Sequence, residues 1–177
     1  MLNPKNYFII SIFILFSCKE FYSQKPVNIK IPFEEIEKDS LKVIGISDGD
    51  SFKVLFQNQE LKIRIHGIDA PERKMAFYKN SKKNLATLIF NKYIYLKINK
   101  KDHYQRFVAQ VNLTNGTNIA YEMVKNGMAW HFTKYSNDKK QANLQELAIK
   151  NKIGLWQDEN PTPPWDFRKI KRDKIRK

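Results

Sequence analysis

Hydrophobic and polar positions alternate with a period of two over the early part of the chain. Leu41 to Ile46 opens the pattern. Phe52, Val54 and Phe56 then alternate with Lys53, Leu55 and Gln57, and after a polar break at Asn58-Gln59, Leu61, Ile63 and Ile65 alternate with Lys62, Arg64 and His66. The spacing predicts one strand followed by a β-hairpin. Over Ser81 to Asn91 the period lengthens: Leu85, Leu88 and Ile89 share a stripe that excludes Lys82, Lys83 and Asn84, as on a helix. Tyr93 to Ile98 and Arg106 to Leu113 return to period two, and Asn115-Gly116 turns the chain. Two more helices are expected, Ile119 to Asn126 ending at Gly127 and Ala142 to Asn151 stopping before Gly154, the second with Leu144, Leu147 and Ala148 inward. The order βββαββαα, with five short antiparallel strands, predicts a mainly β (α+β) fold, a five-stranded OB-fold barrel with three α-helices.

Composition removes several alternatives. Among 177 residues, 42% are hydrophobic and 13% aromatic, ample for a packed core and too many for a disordered chain. A single Cys excludes an intrachain disulfide and a Cys-rich zinc site. The six glycines form neither a dinucleotide fingerprint nor a P-loop, and the three histidines form no H-E-x-x-H. A metal used by this chain is therefore expected to be oxygen-ligated.

Charge and hydropathy mark the two ends. Lys5 precedes an apolar run from Tyr7 to Phe16, too short for a bilayer span of about 20 residues but right for the core of a signal peptide over residues 1–25. Leu15-Phe16-Ser17-Cys18 resembles a lipobox, whose Cys would be acylated; ordinary cleavage near Tyr22-Ser23-Gln24 is the other reading. Both predict export, whether secreted, periplasmic or lipid-anchored to the envelope. Residues 26–40 lack periodicity and read as a leader. The formal charge is +14, and Arg168 to Lys177 holds seven basic residues against one acid. Such a run is a solvated, frayed end, a phosphate-binding tail, or both.

Three stretches carry candidate chemistry: Asp48-Gly49-Asp50-Ser51, Arg64-Ile65-His66-Gly67-Ile68-Asp69-Ala70-Pro71-Glu72, and Asp102-His103-Tyr104-Gln105-Arg106. Alternation puts Arg64 and Arg106 opposite the apolar sets of their strands. Guanidiniums stay protonated and can bind two phosphate oxygens at once. Paired aspartates would raise each other's pKa unless a cation neutralised them, and hard oxygen donors select Ca²⁺ or Mg²⁺.

Together with Gly127-Met128-Ala129-Trp130, Gly154-Leu155-Trp156 and Pro164-Trp165-Asp166-Phe167-Arg168, these stretches resemble the thermonuclease (staphylococcal nuclease-like) family over about Leu41 to Arg168. The resemblance implies a nuclease domain over residues 41–168, followed by a basic tail over 169–177. It implies a calcium-dependent endonuclease that cleaves DNA and RNA, single-stranded or locally open, with little sequence preference, leaving 3′-phosphate ends and acting as a monomer. By motif position it assigns catalysis to Arg64, Glu72 and Arg106, calcium binding to Asp50, Asp69 and the backbone carbonyl of Ala70, and substrate contact to Tyr104, which could instead be core. Gln105 stands where the family usually has Gly; if that position requires φ > 0, strain there could misplace Arg106. That departure, with the charged tail, supports a rival reading, a non-catalytic OB-fold module that binds nucleic acid.

Overall fold

The computed structural model describes residues 32–175. The expected signal segment and Cys18 lie outside the described residues. In chain order the elements are α1 (Phe33–Glu37), β1 (Leu41–Ile46), β2 (Ser51–Phe56), β3 (Gln59–Ile65), β4 (Ile68–Asp69), α2 (Tyr78–Ile89), β5 (Tyr93–Lys101), β6 (Phe107–Leu113), α3 (Ile119–Lys125), β7 (Trp130–His131), α4 (Lys139–Lys150), a 3₁₀ turn (Gly154–Gln157) and α5 (Pro164–Ile175).

Five strands close into a barrel in the order β1-β2-β3-β6-β5, the OB-type architecture that the alternation predicts. Its interior holds Val43, Phe52, Val54, Ile63, Ile65, Ile94, Leu96, Ala109 and Val111, all buried. The β2–β3 hairpin turns through Gln57 and Asn58, both with positive φ (46° and 59°), the pattern of a type I′ turn, whose twist matches that of the paired strands. One expectation is corrected: the strands are not all antiparallel. β3 and β6 run parallel, pairing Ile63 with Phe107, Arg64 with Val108 and Ile65 with Ala109. The reason is parity, since an odd number of strands in a closed ring cannot alternate direction at every seam.

The three expected helices are present as α2, α3 and α4. Asn118 caps α3 by accepting from the Tyr121 amide, and Asp138 caps α4 by accepting from Lys140 and Gln141, so α4 begins at Lys139, three residues before the expected start at Ala142. Leu147, expected inward, is exposed, while Gln141 and Ala148 are buried. At 100° per residue Leu147 lies roughly 90° from the centre of the face shared by Gln141, Leu144 and Ala148. Two helices were not anticipated. Within the stretch read as a leader, α1 buries Ile36, sets Phe33 edge-on to Phe107 and accepts the Ile98 amide on the Glu37 carboxylate. The charged run from Arg168 forms most of α5. No helix among the described residues is long and apolar enough to cross a membrane.

A second, two-stranded sheet positions the site. β4 pairs with β7, Ile68 with His131 and Asp69 with Trp130, and the Gln145 side chain accepts the His131 amide from α4. Gly127 lets α3 end against the 3₁₀ turn: its φ is +59°, and a Cβ there would strike the Ile153 carbonyl.

Candidate active site

Asp50 enters from a tight turn. The Asp48 carboxylate accepts the Asp50 amide (3.1 Å), an Asx-type closure, and the Asp50 carbonyl accepts the Ile65 amide (2.8 Å), binding the turn to the end of β3. Gly49 is required by space: a Cβ would strike the Ser81 hydroxyl and stand 2.8 Å from the Ala70 Cβ. Asp50 is therefore pressed against the Asp69-Ala70 segment, and its Oδ2 accepts the Ala70 amide at 2.8 Å.

Arg64 joins the two aspartates. The β2–β3 register sets it across from Ser51, and its guanidinium reaches Asp50 Oδ2 (3.0 Å) and Asp69 Oδ1 (2.9 Å) while donating to the carbonyls of Ile65 and Ile68. It points away from the barrel core, as the alternation predicts. Both terminal nitrogens are committed to the protein.

Arg106 reaches the same cluster through a hydroxyl. Its Nη1 donates to Ser51 Oγ (3.2 Å), and that hydroxyl donates to Asp50 Oδ1 (2.9 Å). Behind it, Asp102 accepts the Arg106 amide and Nε, each at 2.9 Å, and the Tyr104 amide. Gln105 does lie in the left-handed region, with φ 63°. The strain is real but does not displace Arg106, because the Asp102 carboxylate holds it at two points.

Glu72 lies on the loop between β4 and α2, a loop that contains two strained residues, Lys74 (φ 83°) and Phe77 (φ 61°). Its partner was not assigned from sequence. Arg168, on α5, donates from Nη1 to Glu72 Oε1 (2.6 Å) and from Nη2 to Asp69 Oδ2 (2.6 Å), with a longer contact from Nη1 to Asp69 Oδ1 (3.3 Å). The available signal was the spacing of Trp165 and Arg168, three residues apart and so on one helix face: Trp165 stacks on Phe132 at 5.1 Å and 7°, and Arg168 follows it inward.

Asp50, Arg64, Asp69, Glu72 and Arg106 thus form one connected network, completed by Ser51 and Arg168. Its electrostatics are unbalanced. Burial, then the neighbouring Asp50, pushes the Asp48 carboxyl up to about 7. Burial also raises Asp69, with Asp50 adding to the effect and Arg168 and Arg64 opposing it. Leaving aside Arg106, which Asp102 neutralises, the carboxylates of Asp50, Asp69 and Glu72 and the partly protonated Asp48 face two guanidiniums (Arg64, Arg168), and a divalent cation would offset the remaining negative charge. The donors are all hard oxygens, which fits an alkaline-earth ion. Among the described residues no three His, Cys, Asp or Glu side chains converge on one point, so such an ion would rest on the two aspartates, a backbone carbonyl and water.

Tyr104 is not core. It is 66% exposed, beside His103 and 5.4 Å from the Arg106 guanidinium. Trp130 is buried edge-on to Trp156, and Trp165 is engaged by Phe132, so the tryptophans serve packing.

Comparison with known proteins bears on the same residues. The profile of the family described as Staphylococcal nuclease homologue matches residues 62–158. A Haemophilus influenzae protein described as an uncharacterized endonuclease is 43% identical over 134 residues, 75% of this chain and 75% of its own length. A protein of the same description from Escherichia coli O157:H7 is 34% identical over 127 residues, 72% of this chain and 83% of its own. Staphylococcal-like nuclease CAN1 of Arabidopsis thaliana is 33% identical over 141 residues, 77% of this chain but 43% of its own length. With a closed five-stranded barrel, an acid and arginine network at one end of it and this breadth of likeness, the chain belongs to the staphylococcal nuclease family.

Proposed function

We propose that this nuclease is a calcium-dependent endonuclease that hydrolyses phosphodiester bonds of DNA and RNA with little sequence preference and leaves 3′-phosphate ends. The observation that most supports the reading is the connected network in which Arg64, Glu72 and Arg106 share partners with two buried aspartates.

Arg106 binds the scissile phosphate: its Nε and Nη1 are engaged, and among the described residues Nη2 has no protein acceptor. Arg64 contributes fixed positive charge, its own donors being spent on the carboxylates it bridges. Such preorganised charge counts most where the transition state concentrates negative charge on the phosphoryl oxygens. Glu72 is the general base. Its Oε1 accepts from Arg168, while Oε2 has no protein partner among the described residues and faces solvent with a side chain 39% exposed, so it can take a proton from an attacking water. Calcium held by Asp50, Asp69 and the Ala70 carbonyl would supply Lewis-acid stabilisation and a template for that water. Tyr104, beside Arg106 at the surface, contacts the substrate.

Replacing Glu72 with Gln is expected to lower turnover on single-stranded DNA in calcium by about a hundredfold or more, and a chelator to abolish wild-type cleavage. Unchanged turnover in E72Q would overturn the mechanism, and salt-dependent DNA binding without cleavage in excess calcium would select a binding module instead. We also propose export directed by residues 1–25, with release or lipid anchoring at Cys18; the mass of the mature N-terminus distinguishes the two.

A further inference from the structure

The network has one member that no chemical role yet covers. Arg168 lies beyond the residues matched by the family profile, on α5, yet it ties together two acids from the opposite half of the chain. We propose that Arg168 is a positioning residue of the active site: it holds the Glu72 carboxylate beside Asp69 for proton transfer and, by sharing the Asp69 oxygens, moderates the affinity of the site for its cation. The inference rests on the assignment of Glu72 and Asp69 made above.

Three observations support it. Glu72 sits on a loop, partly exposed, and its carboxylate has no side-chain partner among the described residues other than Arg168. Without that partner the side chain regains rotamer freedom and points at the reacting water only part of the time. Arg168 is itself well fixed. Pro164 is buried, Trp165 stacks on Phe132, and Phe167 shares a cleft with Met75, Phe77 and Trp130. Finally, Asp69 does not depend on Arg168 for its own placement, because Arg64 and the β4–β7 pairing hold it from the other side.

These facts separate positioning from mere support. Removing the guanidinium should leave Asp69 in place but free of a cationic competitor, so cation binding tightens; it should leave Glu72 loose, so turnover falls. General loosening of the fold would weaken both.

The test compares full-length wild type, R168A, R168Q and R168K. Calcium affinity is measured by isothermal titration with calcium chloride, kcat and KM on single-stranded DNA at saturating calcium, and folding by thermal denaturation. For R168A and R168Q we expect kcat about 10- to 100-fold lower, KM within about twofold, and a calcium Kd lower by roughly threefold or more. R168K should return the Kd toward wild type, having restored the charge, while regaining only part of kcat, because an ammonium lacks the fork that spans two carboxylates. R168Q keeps the comparison available if R168A does not fold. An unchanged kcat in both neutral variants, or a calcium Kd that rises in step with lost thermal stability, would overturn the proposal. A wild type that fails to cleave with calcium would instead defeat the assigned function, and this proposal with it.

Discussion

At the scale of single residues, the site is assembled by short polar links. Ser51 uses one hydroxyl to connect Arg106 with Asp50, and Asp102 uses one carboxylate to hold Arg106 by its amide and its side chain. The strain at Gln105 (φ 63°) is sustained by that grip. A left-handed non-glycine residue costs about 1–2 kcal/mol, whereas glycine gives back roughly 0.5–1 kcal/mol through the entropy of the unfolded chain. Gln105→Gly is therefore expected to stabilise the protein by about 0.5–1 kcal/mol in urea unfolding, with activity retained; a loss of stability would mean that the glutamine is relaxed there. Sequence alone identified the position as a departure but could not show its sign, because φ depends on the Asp102 turn that only the folded loop reveals. Arg168 was hidden for a different reason: it opens a run of seven basic residues, and its place three residues after Trp165 is all that sets it apart locally, with nothing to name the distant acids it meets.

At the scale of elements, the strands were legible because burial on one barrel face imposes a period of two, and every apolar position of the β2 and β3 alternation is indeed buried. The β4–β7 pair was not legible, since two-residue strands carry no period. Nor was α1, whose five residues span little more than one turn. The loop between β5 and β6 gives a pH prediction. Burial pushes the Asp102 carboxyl up, but the amide and guanidinium of Arg106 and the Tyr104 amide outweigh it, leaving it below its ordinary value. A depressed carboxyl contributes stability that is complete above its unfolded pKa of about 3.9 and is lost as pH falls through the folded value. Wild type should exceed Asp102→Asn in stability at pH 7, with the gap closing below about pH 4. A gap that persists at pH 2.5 in urea titrations would rule out the charge as its source.

Across the whole molecule, charge is distributed for an extended anion. The formal charge is +14, and α5 turns Pro164 and Arg168 toward the protein while leaving Lys169, Lys171, Arg172 and Lys174 exposed. One helix thus supplies both a tie to the acid network, which the sequence did not suggest, and a solvated basic face. Counterion release predicts that KM for single-stranded DNA rises steeply with NaCl while kcat changes little, and that replacing Lys169, Lys171 and Lys174 by Gln flattens the log–log slope by about 0.7 for each phosphate contact removed. An unaltered slope would place the contacts elsewhere.

The tie from Arg168 to Glu72 and Asp69 spans 96 and 99 residues of sequence. A polypeptide made from its N-terminus therefore presents both carboxylates to solvent well before the ribosome adds the guanidinium that joins them. Contacts this distant in sequence close late, so the barrel can fold before the tie is made, and on the role proposed for Arg168 full turnover waits for α5 to dock.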